Sequence, residues 1–214
     1  RLEQQITEME NQTKATEKAK DALLLIKSYG IKVDNPEVLK HLRSQMGVIK
    51  SARDAQVKLE KLALARGSVA EAAVTEFGAG GAVSGAGGGQ NLEERLARLQ
   101  EKLVGTGMGM DLANEIVGQL RSAIAAKLSA SEGEEISGDE ISELTRNVTA
   151  ALVTRKQAEE RAIIKNARDI AKQFGLTGAL NAMIASGDVF KNVSEALSQV
   201  PVGKTWSDLG DSIS

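Results

Sequence analysis

The stretch Asn91-Leu92-Glu93-Glu94-Arg95-Leu96-Ala97-Arg98-Leu99-Gln100-Glu101-Lys102-Leu103 decides the fold class. Its four leucines recur at steps of 4, 3 and 4, which brings them onto one stripe of a helix. Charged side chains fill most of the positions between them, Ala97 and Gln100 excepted. Asn91 with Glu94 three residues on has the form of a helix N-cap.

The same grammar extends in both directions. Toward the C-terminus, Gly105-Thr106-Gly107-Met108-Gly109 breaks the helix, and Leu112, Ile116, Leu120, Ile124 and Leu128 form the next stripe from Asp111 onward. Ser137-x-x-Glu140 is a second capping box, predicting a long helix to about Phe174. Its apolar residues fall in an early group (Ile141, Leu144, Val148, Leu152) and a late one (Ile163, Ala167, Ile170, Phe174), with Thr154–Arg161 expected to be solvated. Short helices are expected at 177–186 and 188–200.

Toward the N-terminus, Asn35 and Pro36 open a helix with the stripe Leu39, Leu42, Met46, Ile49, Ala52, Ala55, Leu59, Leu62. Gly67 and Ser68 are expected to interrupt it, with Ser68-x-x-Glu71 starting a short helix to Phe77. A first helix from about Leu2 to Tyr29 carries Leu2, Ile6 and Met9, then Ala19, Ala22, Leu23 and Ile26. The polar 11–18 segment lies between them, so this helix is expected to pack at its ends. Lys27-Ser28-Tyr29-Gly30-Ile31 and Lys172-Gln173-Phe174-Gly175-Leu176 share a stop signal: a cation in the last turn, a glycine able to turn left-handed, and an apolar residue to fold back.

The fold expected is all-α, made of elongated helical hairpins packed like coiled coils. Residues 78–89 hold seven glycines in twelve and read as a flexible hinge. The expected division is an N-terminal helical hairpin region at 1–77, a Gly-rich linker at 78–90, a C-terminal helical bundle region at 91–200 and a loosely ordered tail at 201–214.

Composition narrows the chemistry. The 214 residues include no Cys and one His, His41, so disulfides, thiolate metal sites and multi-His metal sites are excluded. Aromatics are 2% of the chain, which suits Leu/Ala helix seams better than a β-sandwich. No apolar run reaches the length of a transmembrane helix. The chain opens at Arg1, as a processed product or the ordered part of something longer would.

Most site-like fragments fail on spacing. Gly203-Lys204-Thr205 ends like a phosphate-binding loop, but Ser198 stands where the earlier glycine belongs and a helix precedes it. Neither 78–89 nor 105–109 has dinucleotide-binding spacing. In the acidic run Glu132, Glu134, Glu135, Asp139, Glu140, Glu143, the register of a calcium loop puts Ser137 where glycine belongs. His41 has no motif-borne nucleophile beside it. Three sequons, at Asn11, Asn147 and Asn192, read as coincidence.

Charge is uneven under a net −2. Residues 14–66 hold twelve bases and six acids, residues 132–143 six acids and no base, and residues 146–172 seven bases and three acids. Such blocks can set the register of packing helices, within a chain or between copies.

The function expected is a non-enzymatic structural or assembly protein with no cofactor and no metal, as a virion, scaffold or secretion-machine component would be. It is expected to form a homo-oligomer or dock to partner helical subunits through Leu39, Leu42, Leu59, Leu62, Leu92, Leu96, Leu99 and Leu103. A cytoplasmic or virion-associated location is favoured over secretion. The alternative is a membrane-active helical protein, a pore-former or translocator inserting residues 69–89, although Ala and Gly make that segment a weak anchor. Nucleic acid is disfavoured, because cations alternate with acids and Tyr29 is the only aromatic for stacking in the basic region.

Overall fold

The computed structural model describes residues 2–78, 89–130, 135–204 and 208. Among them are seven helices and no strand: α1 (Leu2–Ser28), α2 (Pro36–Phe77), α3 (Gly89–Gly105), α4 (Met110–Ala130), α5 (Gly138–Gln173), α6 (Thr177–Ala185) and α7 (Gly187–Gln199). The all-α class is as the periodicity implies.

Helix ends follow the local chemistry. Asn35 Oδ1 accepts from the backbone N–H of Glu37 at 3.0 Å and of Val38 at 3.4 Å, so Asn35 caps α2 with Pro36 as its first residue. At the end of α5, the N–H of Gly175 donates to the Lys172 carbonyl at 3.3 Å and that of Leu176 to Ala171 at 2.9 Å. Gly175 has φ +66°, and Leu176 is buried. Both legs of a Schellman stop are therefore present. The end of α3 repeats it: Gly107 N–H to Val104 at 3.0 Å, Met108 N–H to Leu103 at 3.3 Å, φ +88° at Gly107 and a buried Met108. After α1, Gly30 turns at φ +79° and Ile31 is buried as expected.

Two expectations fail along the long helices. α2 runs unbroken through Gly67 and Ser68, and the Ser68 hydroxyl donates back to the Leu64 carbonyl at 3.4 Å instead of capping a new helix. One glycine costs a helix only about 1 kcal/mol. Burial of Val69, Ala73 and Phe77 on the continuing stripe outweighs that. In α5 the segment expected to be solvated contains the buried Glu160. Its late stripe is Ile164, Ala167 and Ala171, a rotation that leaves Ile163 and Phe174 more than a third exposed.

Compactness divides the chain into residues 1–57 with 160–214, the first unit, and residues 58–159, the second. The division falls inside α2 and α5 and not at 78–90, because α1 finds its cover on α7 from the far end of the chain. Contacts, not chain order, define the units. Of the expected linker, residues 79–88 lie outside the described residues, as do 205–207 and 209–214 of the expected tail with Trp206.

In the first unit α1 packs on α7 and α6 on α7. Leu23, Ile26, Leu42, Met183 and Val193 are completely enclosed. Arg43 of α2 donates to the Leu197 carbonyl at 2.8 Å and also to that of Val200, closing the C-terminal end of α7 just before Pro201. In the second unit α3 and α4 pack as a pair. Their leucine and isoleucine stripes join Val69, Phe77, Ile136, Ile141 and Leu152 in one core.

Candidate functional site

Seven of the eight leucines expected to mediate association are buried within the chain. Leu92, Leu96, Leu99 and Leu103 lie in the core of the second unit, the last three with no exposed surface. Leu62 is 6% exposed, and Leu39 and Leu42 are buried in the first unit. Leu59 is half-buried. The assignment of these residues to an intermolecular seam is therefore corrected: the chain fills the seam itself. A 4-3-4 stripe specifies that a helix face must be covered. It carries no information on which molecule covers it, and here α4, four residues away, does.

Uncovered apolar side chains occur elsewhere, among them Leu64 of α2 and Ile6 and Met9 of α1. Every residue from Glu3 to Ala15 is exposed, including Ile6 at 54% and Met9 at 68%. Packing at both ends of this helix was expected; among the described residues Ile6 and Met9 are exposed, and the helix packs at its C-terminal end through Ala19, Ala22, Leu23 and Ile26. Met9, Thr16 and Leu23 are seven residues apart, so they follow one face of the helix. α7 and its surroundings cover that face at Leu23 and leave it bare at Met9. Ile6 and Thr13 flank it. The hydroxyls of Thr13 and Thr16 donate to the carbonyls of Met9 and Gln12, both at 2.9 Å, so neither threonine needs a polar partner there.

Charged groups are concentrated at helix ends in the second unit. Glu76, in the last turn of α2, receives Arg98 Nε and Lys102 Nζ at 2.7 Å each, while Arg95 donates to the Glu76 carbonyl at 2.8 Å and lies over the Phe77 ring. Burial pushes the Glu76 carboxyl up, but the hydrogen bonds from Lys102 and Arg98 outweigh it and hold the group below its ordinary range. These cations also sit where the α2 dipole is negative. The arrangement fastens α3 to the end of α2.

Glu140 closes the capping box read from the sequence. Its Oε2 accepts from the Ser137 N–H at 3.0 Å and hydroxyl at 2.9 Å, and Ser137 Oγ accepts from the Glu140 N–H at 3.3 Å. Lys127 Nζ, in the last turn of α4, donates to Oε1 at 2.6 Å. Ile136 and Ile141 pack beneath the box as a hydrophobic staple. The Lys127 ammonium first, then the Ser137 N–H and hydroxyl, lower the Glu140 carboxyl from 4.5 to about 2. A depressed carboxylate stabilises the fold above its unfolded value and loses that contribution as pH falls toward the folded one. Wild-type stability relative to Glu140→Gln is therefore expected to shrink between pH 4.5 and about 2. Thermal melts at stepped pH check this, and a gap that stays constant across that window contradicts it.

The remaining motif fragments resolve into structure. Gly203, with φ +78°, and Lys204 belong to a turn closed by the Lys204 N–H on the Pro201 carbonyl at 3.2 Å; Thr205 lies outside the described residues. His41 stacks on Phe174 with ring centroids 3.3 Å apart. Its Nε2 is enclosed with no hydrogen-bond partner among the described residues. The adjoining cavity, between Leu42, Ile49, Ala167 and Met183, has a volume of about 10 Å³, room for one water at most. In the acidic run Glu140 is taken up by the cap, while residues 131–134 lie outside the described residues. Among the described residues no three His, Asp or Glu side chains converge as metal ligands, and no helix is long and apolar enough to cross a membrane. Of the segment expected to insert in the membrane alternative, Val69–Phe77 forms the end of α2, with Val69, Ala73 and Phe77 fully buried.

Comparison with protein-family models, with curated proteins and with solved structures finds no match to this chain.

Proposed function

We propose that this chain is a non-enzymatic structural or assembly protein that joins further copies of itself through α1, as a component of a virion, scaffold or secretion machine would. The observation that carries the reading is the bare N-terminal half of α1. Thirteen consecutive exposed residues continue the face that the same helix buries at Leu23. An isolated helical stretch of that length is marginal in water and gains most of its stability from a covered face.

The charges on α1 favour a second α1 as the cover. Residues 3–10 hold Glu3, Glu8 and Glu10 and no base, whereas residues 14–20 hold Lys14, Lys18 and Lys20 against Glu17. Two α1 helices running antiparallel set the acidic half of each beside the basic half of the other, and their dipoles also oppose favourably. In that register Ile6 and Met9 of each copy lie against the 14–18 segment of the other.

Sedimentation of the full chain tests this. Ile6→Glu with Met9→Glu lowers the association state while leaving helicity and melting unchanged, since neither side chain is part of the folded core. An unaltered mass over the whole concentration range refutes the reading.

A further inference from the structure

The outward side of α5 in the first unit bears a second unpartnered surface, of a different kind. Arg161, Lys165, Arg168 and Lys172 recur at steps of 4, 3 and 4 and are all exposed. At 1.5 Å per residue they form a row of cations about 16 Å long. Among the described residues none of the four has a carboxylate within 4 Å. Among the described residues the row makes one side-chain hydrogen bond, Arg168 Nε donating to Asn181 Oδ1 at 3.3 Å. In the second unit, by contrast, Arg98, Lys102, Arg121, Lys127, Arg155 and Lys156 each lie against a glutamate. The helix dipole accounts for cations in the last turn only, whereas Arg161 stands three turns further back.

The matching charge is on the same chain. Residues 132–143 hold six acids and no base. Within that run Glu140 is occupied by Lys127, but Glu135, Asp139 and Glu143 are exposed, spaced four apart, and free of any cation within 4 Å among the described residues. We infer that the Arg161–Lys172 row docks the acidic 135–143 run of a second copy of the chain. The inference rests on the self-association proposed above but uses a different surface. Each copy offers both halves of the contact, so the association is electrostatic in origin and weakens with salt. A polyanion such as nucleic acid is the less fitting occupant, because the chain as a whole is net negative and the row has no aromatic beside it for base stacking.

A charge exchange on the full chain tests the pairing. Arg161→Glu with Lys165→Glu reverses the row, and Glu135→Lys with Glu143→Lys reverses the run; all four side chains are exposed, so helicity and melting stay at wild-type values. Each variant alone is expected to self-associate roughly tenfold more weakly at about 50 mM salt. An equimolar mixture of the two is expected to recover association to within about threefold of wild type, because reversed row then meets reversed run. Three results overturn the inference: variants that associate like wild type, a mixture no better than its components, or a row that instead retains a labelled DNA duplex or phosphatidylserine vesicles irrespective of the acidic reversal. Loss of mass on Ile6→Glu with Met9→Glu, together with unaltered mass on charge reversal, leaves the α1 contact standing and removes this one alone.

Discussion

Leu96→Glu combined with Leu99→Glu is expected to unfold residues 58–159. Both leucines have no exposed surface and lie in the core shared with Phe77, Ile116 and Ile124. An ionised carboxylate enclosed there without a partner costs several kcal/mol even after relaxation, and two exceed much of the 5–15 kcal/mol that holds a typical domain together. The expected readout is a loss of helical circular dichroism and of the cooperative urea transition. Leu99→Ala gives a graded version, with a loss of about 2–5 kcal/mol from the removed methyl groups and the cavity left behind. The opposite result is equally specific. A double variant that keeps wild-type helicity and midpoint while its oligomeric mass falls places these leucines between molecules and not within one.

Gly138→Ala is expected to destabilise the same unit, against the usual sign for a helix. Alanine is the better helix former by about 1 kcal/mol, and removing a glycine also restricts the unfolded chain. At Gly138, however, a Cβ would collide with the Phe77 carbonyl oxygen and stand 3.1 Å from that of Gly78. Both neighbours are backbone, so relief requires the start of α5 to move off the end of α2. That shift disturbs Phe77, Ile136 and Ile141 together, since all three are packed in one core. A loss of about 1–3 kcal/mol or more is expected. Gly118→Ala is the control: Gly118 is exposed on α4 with nothing within 4 Å of its added Cβ, so stability should rise by about 0.5–1 kcal/mol. Urea midpoints of opposite sign support the close approach of Gly138 to α2, and two increases disprove it.

These substitutions separate what local chemistry can specify from what it cannot. Asn35, Gly107, Ser137-x-x-Glu140 and Gly175 each act within six residues of chain, and the structure shows each making the bonds its residue type implies. Stripe positions were equally legible in α3 and α4. The break expected at Gly67 was not legible correctly, because a glycine's local cost is small and the burial that offsets it comes from residues distant in sequence. The misplaced late stripe of α5 has the same origin: Ile163 and Ile164 are adjacent, and only the packing around the helix selects Ile164. Arg43, which closes α7 across 154 residues of chain, left no sequence signal beyond an arginine in a helix.

The candidate surfaces divide in the same way. The N-terminal end of α1 was expected to pack through Ile6 and Met9, and their exposure was decided by where α7 ends its cover. The α5 cation row was visible as a positive block, but whether those cations were already matched depended on the carboxylates that folding brought near them.

The linear order of residues determined that the molecule is helical, where most helices begin and end, and which side of several must avoid water. Those outcomes come from hydrogen bonds and side-chain periodicity that operate over a few residues. Tertiary structure alone decided which faces cover one another, how the chain divides into units, and that the leucine seams are internal while Ile6 and Met9 remain outside. An apolar face is satisfied by any apolar surface of suitable shape, so its partner is settled only when the whole chain has been packed.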